Sequence, residues 1–552
     1  MRLGSPTFFR QCRAKYGPVF KVAFGRTWMV VVAEPDLLRQ VGTKLLNHSF
    51  FRGLMRGELQ ELDEWGLVSA KDDFWRLVRS AWQPAFSSAS LAGYLPRMTA
   101  CAEHLAGRME DRARDAAADG AEDQPWRVDI WRELGAMTLQ VVGSTAYGVD
   151  FQAMEGAPPP LQGPVREEEE PQERTSGAAA AAAGSGGGSG SYGRVLVEAC
   201  RDAFKYSSVV YGSKYSRVSM LLPELRPLVR GAAHALPDRP FAKLLQARRN
   251  LRNTCVDLIA SWRSGGGGGG GGGGRPHHIN GATANGAAPP PVVEAEAVGQ
   301  SGSGAGADTA FEGAKPPAVE AGSFLGLMLS ARDKATGQGL NDRQVAAQVQ
   351  TFILAGYETT ANALAFTVYC LGVNPEVEAR LLAEVDEVVG PDRLPTAADL
   401  PRLVYTEAVF NEAMRLYPPA HATNRHVEGG PIQVGGYTVP PGIPVFMSIF
   451  SSHHNPDVWP RVNDFIPERF LPESPLHPQV AARVPGAHAP FGYGSRMCIG
   501  WKFAVQEAKI ALATLYRRLR FELEPGQVPL RTAVGITLSP RDGVWVRPVL
   551  RV

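Results

Sequence analysis

The sequence predicts a mainly α-helical protein with small β-sheets. Two long segments, residues 340–372 and 501–515, carry apolar residues at helical spacing. Short runs rich in β-branched and aromatic residues, bounded by turn residues, occur near both ends of the chain. Helices therefore account for most of the predicted fold, and the strands form only short sheets.

Local signals place the elements along the chain. Asn341 is a candidate N-cap of the long central helix, which Asn374 and Pro375 end. The predicted strands are 16–25 and 28–33, followed by a hairpin within 528–552. The predicted helices begin at Pro35 and continue with 72–81, 194–205, 240–262, 340–372, 403–416 and 501–515.

Two segments have a composition unlike the rest. Residues 155–193 carry proline, glutamate and alanine runs, and residues 264–323 include ten consecutive glycines. Such segments cannot bury enough apolar surface to offset the entropy of ordering. We expect them to be disordered insertions in surface loops of a single domain spanning residues 1–552.

Charge and cysteine usage exclude several classes of protein. The formal net charge is +2 with both signs mixed, so nothing indicates a nucleic-acid partner. Six cysteines stand singly with no CxxC motif, which favours a reducing compartment over a disulfide framework. No signal peptide opens the chain, and Glu358 within the apolar stretch 351–373 indicates a core helix, not a membrane anchor.

The stretch Phe491–Gly500 is the most informative part of the sequence. Its three glycines predict a tight loop, and a helix follows at once, so Cys498 lies at a loop-to-helix junction. A helix N-terminus lowers a thiol pKa and favours the thiolate. Arg496 offers a guanidinium to a carboxylate.

Four interpretations of Cys498 compete. A buried structural thiol is common, but a glycine-rich loop with an arginine is a poor place for one. A nucleophile paired with His488 stays open, because sequence cannot exclude an oriented Cys-His pair. A zinc site lacks a second ligand at the usual spacing. An axial haem ligand needs only one thiolate, with donors to the sulfur and cations for the propionates.

The loop resembles the haem-binding signature of the cytochrome P450 superfamily, Phe-x-x-Gly-x-Arg-x-Cys-x-Gly, at every fixed position, and the chain resembles its eukaryotic type. The matching residues are Phe491, Gly494, Arg496, Cys498 and Gly500. The resemblance implies haem b, with Cys498 as axial ligand of the iron and the haem between the long central helix and the cysteine loop. It also implies that Phe491 packs beside the sulfur, Arg496 pairs with a propionate and Gly500 lets the next helix approach the porphyrin.

Two further segments resemble haem contacts of the family. Trp75 and Arg79 share a helix face at i,i+4 and match the family's Trp-x-x-x-Arg, whose side chains reach the propionates. The alternative is a surface helix with a half-buried tryptophan. Arg425 falls where the family places another propionate contact.

Residues 355–360, Ala-Gly-Tyr-Glu-Thr-Thr, weaken the long helix at its middle. They are either incidental polar residues of a core helix or a functional site. They resemble the family's [Ala/Gly]-Gly-x-[Asp/Glu]-Thr-Thr signature in full. The resemblance implies that Ala355 and Gly356 open space over the haem, and that Glu358 and Thr359 are the catalytic pair that relays protons during O2 activation.

Glu412 and Arg415 at i,i+3 would contribute little as an exposed pair. They resemble the family's Glu-x-x-Arg, and Arg469 matches the arginine that completes a buried structural network near the thiolate loop. The resemblance also places substrate-pocket residues on the long helix and after Pro418-Pro419, namely Phe352, Ala355, Ala422 and Thr423.

The resemblance implies a monooxygenase that inserts one oxygen atom from O2 into a small lipophilic substrate. No G-x-G-x-x-G follows a strand, so electrons must come from a separate NADPH-dependent flavoprotein reductase or ferredoxin, docking near Lys502. Exposed leucines between 220 and 236 predict a peripheral membrane contact. We expect an intracellular protein, on an endoplasmic reticulum or plastid membrane if the N-terminus is incomplete.

Two other functions stay open. One is a haem-thiolate isomerase or dehydratase that acts on an oxygenated lipid without O2. The other is a non-catalytic haem-binding sensor. Members that isomerise peroxides tend to lose the threonine that stands here at position 359, which favours the monooxygenase.

Overall fold

A computed structural model describes residues 6–48, 53–118, 126–155, 192–208, 211–264, 278–279, 323–333, 337, 339–476 and 486–551. Both predicted insertions, 155–193 and 264–323, lie almost entirely outside the described residues.

Helices dominate the described chain, which confirms the predicted mainly α class. They are α1 (Pro6–Tyr16), α2 (Pro35–Lys44), α3 (Gly57–Trp65), α4 (Asp72–Trp82), α5 (Ser88–Ala118), α6 (Ile130–Val142), α7 (Tyr192–Ser207), α8 (Lys214–Leu221), α9 (Arg226–Ala235), α10 (Arg239–Ser264), α11 (Phe324–Ser330), α12 (Asp342–Val373), α13 (Pro375–Val388), α14 (Val404–Leu416), α15 (Ile449–His453) and α16 (Trp501–Arg518). Short 3₁₀ turns at Gln83–Phe86, Pro223–Leu225 and Pro467–Phe470, and a π-helical turn at Gly143–Tyr147, extend or link them.

The strands form small sheets, as predicted. They are β1 (Val19–Phe24), β2 (Thr27–Val32), β3 (Val128–Asp129), β4 (His278–Ile279), β5 (Arg332–Asp333), β6 (Thr423–His426), β7 (Ile432–Val434), β8 (Tyr437–Val439), β9 (Pro444–Met447), β10 (Leu519–Leu523), β11 (Thr532–Val534), β12 (Leu538–Pro540) and β13 (Trp545–Leu550). The largest sheet has the order β1-β2-β9-β6, a second has the order β10-β13-β3, and the pairs β11-β12, β7-β8 and β4-β5 stand alone.

The long helix α12 is the centre of the fold. Asn341 and Gln344 form a capping box at its start, and Asn374 follows its last residue. Most of its side chains between Val345 and Leu371 are buried, because helices and two strands cover it on several sides. α12 is therefore a buried central helix against which other elements pack.

The C-terminal segment differs in part from the predicted hairpin. β11 and β12 pair around Gly535, as expected. β13, however, pairs with β10 and β3. Gly543 has φ +85°, and a Cβ there would meet the Asp129 carboxylate. This close approach lets the chain turn into the sheet of β3.

No helix of the described residues is both long enough and apolar enough to cross a membrane.

Candidate active site

The cysteine loop is held by its own backbone and by α2. The Cys498 N–H donates to the Phe491 carbonyl at 2.9 Å. Gly494 has φ +80°, and a Cβ there would overlap the carbonyl oxygen of Gly42 on α2. Only glycine fits this backbone contact. The loop thus presents Cys498 three residues before Trp501, the first residue of α16.

The Cys498 thiol is accessible although protein surrounds it. Its side chain has accessible surface, yet the surrounding protein is close enough that burial raises the pKa of the thiol. The lowering expected from the helix terminus does not decide the net direction of the pKa shift. The backbone N–H of Gly500 and the charge of Arg79 do lower it, but desolvation outweighs both.

One face of α12 is accessible as well. Ala355 is exposed and Phe352 and Thr359 are half-buried, although Ile353 and Thr360 beside them are buried. An exposed alanine in the middle of a core helix marks a cavity wall. Ala355 therefore fits the predicted opening.

Gly356 does not open this space as predicted. A Cβ at Gly356 would collide with Cγ2 of Val142 on α6. The Thr138 hydroxyl on α6 also donates to the Tyr357 carbonyl at 2.8 Å. Gly356 is therefore explained by the close packing of α6 on α12.

Phe86 links the cysteine loop with α12. A Cβ on Gly500 would lie 3.4 Å from its ring, and its ring centroid lies 5.8 Å from that of Phe352. Phe352 also stacks on Trp82 with centroids 3.8 Å apart. The thiol loop and the open face of α12 therefore meet the same aromatic cluster.

Three arginines surround the cysteine loop. The Arg79 guanidinium donates to the Met497 carbonyl at 2.9 Å, and that of Arg425 donates to the Tyr493 carbonyl at 3.3 Å. The Arg496 guanidinium lies 4.3 Å from the centroid of the Trp75 ring. Trp75 is buried beneath this cation.

Arg496 also ties the loop to two preceding segments. It donates to the carbonyls of Leu46, Leu67 and Ala70 and to the Asn47 side chain. These bonds fix the guanidinium without neutralising it, because all four acceptors are uncharged.

The arginine cluster fits an anionic ligand. None of the three forms an ion pair with a carboxylate of the described residues, and the buried Nε of Arg425 has no hydrogen-bond partner. Burial lowers the pKa of Arg425 to about 10. Burial and the charges of Arg425 and Arg79 lower that of Arg496 to about 9. The two propionates of a haem would supply the missing negative charge.

His48 belongs to the same cluster and was missed from the sequence. Its Nδ1 lies 2.8 Å from the Asn424 carbonyl and 3.2 Å from a nitrogen of Arg425. Burial and the charges of Arg425 and Arg496 lower its pKa to about 3, so it is neutral near pH 7. No motif marks it, since the chain brings it there through tertiary packing.

Glu358 and Thr359 lie side by side on α12, but they do not bond to each other. The Thr359 hydroxyl donates to the Ala355 carbonyl at 2.7 Å. The Glu358 carboxylate accepts from the Thr537 hydroxyl and, at 3.5 Å, from the Asn362 amide. Burial raises the pKa of Glu358 to about 7. Thr537 gave no signal in the sequence, whereas Asn362 stands at i+4 from the acid and could have been noticed.

Glu412, Arg415 and Arg469 are buried and in contact. Arg415 donates to both oxygens of Glu412 at 2.8 Å, and Arg469 donates to one at 3.2 Å. The backbone N–H of Ile466 adds a third donor group at 3.0 Å. This network joins α14 to the segment that precedes the cysteine loop.

The remaining candidates are placed as follows. Thr423 begins β6 and accepts a long hydrogen bond of 3.5 Å from Arg425. Ala422 precedes it and is half-buried.

His488 does not act as a base for Cys498, because its Nε2 contacts the Asn411 carbonyl at 3.1 Å and its ring stacks on His453. Within the described residues, no group of three or more histidine, cysteine, aspartate or glutamate side chains is arranged to hold a metal ion.

Comparisons with known proteins agree with this geometry. The family model described as Cytochrome P450 matches residues 4–167 and 317–545. Cyclooctatin synthase of Streptomyces melanosporofaciens is 41% identical over 220 residues, which are 40% of this chain and 46% of that protein. Cyclooctat-9-en-7-ol 5-monooxygenase of the same organism is 43% identical over 205 residues, or 37% and 43%. This chain thus spans less than half the length of those two relatives.

A more extended match covers the whole chain. Thromboxane-A synthase of Sus scrofa is 27% identical over 570 residues, which are 100% of this chain and 90% of that protein. The family model matches most of the sequence, and this relative aligns with the whole chain. Together the two matches cover nearly all of the described residues. The chain belongs to the cytochrome P450 family.

Proposed function

We propose that the protein is a haem-thiolate monooxygenase that inserts one oxygen atom from O2 into a small lipophilic substrate. The observation that carries the proposal is that the accessible Cys498 thiol and the open face of α12 at Ala355 and Thr359 meet the same aromatic cluster. The relative named as a monooxygenase supports it.

Residues around the cavity would hold the haem. Cys498 would be the axial ligand, and Arg79, Arg425 and Arg496 would hold the propionates, with Trp75 supporting Arg496. Phe491, Gly494 and Gly500 shape the loop around the sulfur. When bound, haem supplies reductive activation of O2 and transfer of one oxygen atom to carbon.

The chain's own residues would manage protons and substrate. Glu358, with a pKa of about 7, can both hold and release a proton near neutral pH, and Thr359 presents its hydroxyl at the open face of α12. Phe352, Ala355, Ala422 and Thr423 would line the substrate space. Their apolar and small side chains suit a lipophilic molecule.

Electrons would come from a separate NADPH-dependent flavoprotein reductase or ferredoxin. Lys502 is exposed at the start of α16, four residues after Cys498, and Trp501 beside it is 38% exposed. A cation and an exposed aromatic ring near the thiolate suit an acidic docking partner.

Replacing Cys498 tests the ligand assignment. Cys498→Ser should abolish the red-shifted CO-difference band that thiolate ligation gives. Cys370→Ser, at a buried cysteine in α12, is the matched control and should retain it. A wild-type band in Cys498→Ser would remove this residue as the ligand.

Isotope labelling tests the reaction. In the reconstituted enzyme, product formed under labelled O2 should carry one labelled oxygen, and its formation should require the reductase. Unlabelled product formed without reductant would contradict the proposal.

A haem-thiolate isomerase or dehydratase is the second candidate. Near full-length similarity to a protein named thromboxane-A synthase favours it. Conversion of a lipid peroxide without O2 or reductant would support it, whereas strict dependence on both would exclude it.

A further inference from the structure

The carboxyl group of Glu358 is held by the C-terminal hairpin. The hydroxyl of Thr537, the residue before β12, donates to Oε1 of Glu358, 179 residues earlier in the chain. The Asn362 amide donates to the same oxygen at 3.5 Å. Oε2 accepts no hydrogen bond from the described part of the chain, so it is the oxygen left to exchange a proton.

Asn362 is itself fixed from three directions. It accepts from the Trp131 indole on α6 at 2.6 Å. It donates to the Thr537 hydroxyl at 3.3 Å and to the Leu538 carbonyl at 3.0 Å. α6, α12 and the β11-β12 hairpin therefore meet at one polar contact whose centre is the Asn362 amide, and this amide also donates to the Glu358 carboxyl.

The hairpin also touches the predicted substrate side of the cavity. The Leu538 N–H donates to the Pro419 carbonyl at 2.8 Å, three residues before Ala422. A ligand that displaces the hairpin there would also move the Thr537 hydroxyl. The position of the hairpin and the orientation of Glu358 are thus mechanically linked.

Thr537 and Asn362 are the main polar side chains that affect the protonation of the Glu358 carboxyl group. The titratable groups that face it within the described residues are the Cys200 thiol on α7 and the Tyr357 phenol on α12. Burial raises the pKa of both, so both are neutral near pH 7. Donors to a carboxylate favour its ionised form, and here both donors are uncharged side chains.

We propose that Thr537 is a positioning residue for proton delivery: its hydroxyl holds Oε1 of Glu358, the residue before Thr359 on α12, and leaves Oε2 free to donate the proton. The inference rests on the proposed monooxygenase function. In each cycle Oε2 gives one proton to water in the cavity and takes one back from solvent, so Glu358 ends as it began. The position of the hairpin determines how readily Glu358 releases this proton and takes it back.

Titration of the carboxyl group tests the proposal without turnover. Infrared difference spectra of the haem-loaded enzyme, with the Glu358 signal assigned by Glu358→Gln, follow its protonated form against pH. Thr537→Val loses one donor to a carboxylate, so its midpoint should rise by about one pH unit. Thr537→Ser restores the hydroxyl and should return the midpoint to the wild-type value.

The matched control lies on the same hairpin. Thr532 on β11 is exposed, and Thr532→Val should leave the midpoint unchanged. The CO-difference band shows that each variant is folded, and Thr537→Ala replaces the valine variant if that one loses the band. A wild-type midpoint in the folded variant lacking the hydroxyl would overturn the proposal.

Turnover provides the second readout. The fraction of electrons that reaches product, measured against pH, should shift in Thr537→Val in the same direction as the infrared midpoint, and Thr537→Ser should reverse the shift. A shifted midpoint with an unshifted coupling profile would also overturn the role in delivery. Failure of the wild type to oxygenate any substrate would instead refute the monooxygenase assignment, which the infrared midpoint does not measure.

Discussion

Glu358 has a pKa near 7 because α12 and its neighbours desolvate the carboxyl group, and its two hydrogen bonds only partly offset that cost. The ordinary value is 4.5, so the folded state binds this proton more tightly than the unfolded state. The resulting stabilisation is fully present below about pH 4.5 and is lost as pH rises through about 7.

Glu358→Gln should therefore become relatively more stable as pH rises across this window. Glutamine keeps an oxygen for Thr537 and Asn362 but has no charge to desolvate. The difference in free energy of unfolding between variant and wild type should change by up to about 3 kcal/mol. Urea unfolding between about pH 5 and pH 8 measures it, and a pH-independent difference would contradict the assigned pKa shift.

The contacts of single residues were only partly predictable. Fixed spacing in the cysteine loop located Cys498 and Arg496, because a loop around one ligand needs particular residues at particular positions. The pKa of the thiol was misjudged, since burial depends on the whole fold. Thr537 was missed because a single hydroxyl distant in sequence carries no local pattern.

Helices with clear end signals were predicted within a few residues. α12 has an N-cap and a proline after its end, so the sequence predicts both of its ends. α14 precedes Pro418-Pro419, which predict its C-terminal end. α5 was missed because Gly93 and Pro96 interrupt its pattern, yet packing against α16 and other elements stabilises it as one helix. Tertiary contact outweighs local propensity there.

The Glu412 network should matter more to stability than an exposed ion pair. Glu412→Gln leaves the guanidinium groups of Arg415 and Arg469 buried without a counter-charge, and should lower the free energy of unfolding by about 3 kcal/mol. Glu522→Gln is the control, because its pair with Arg547 is roughly half exposed, and should change it by less than about 0.5 kcal/mol. Equal effects of the two substitutions in chemical denaturation would disprove the prediction.

At the scale of the whole molecule, the two segments that match the cytochrome P450 family behave as one unit. α4, α5 and α6 come from the first segment, and they pack against α11, α12 and α16 from the second. Because this core is shared, we infer that the chain forms a single domain interrupted by the low-complexity insertions.

A row of exposed leucines should bind this domain to membranes. Leu228 on α9 and Leu236 after it are 73% and 75% exposed, and the Arg26 N–H donates to the Leu221 carbonyl, which brings the β1-β2 hairpin alongside. Burying two leucine side chains in lipid is worth about 3 kcal/mol or more, roughly a hundredfold in partitioning. The double variant Leu228→Asp/Leu236→Asp should therefore lose sedimentation with phosphatidylcholine vesicles, whereas Val404→Asp, at an exposed valine on α14, should not. Equal sedimentation of the double variant and the wild type, or none for the wild type, would exclude this surface as a membrane contact.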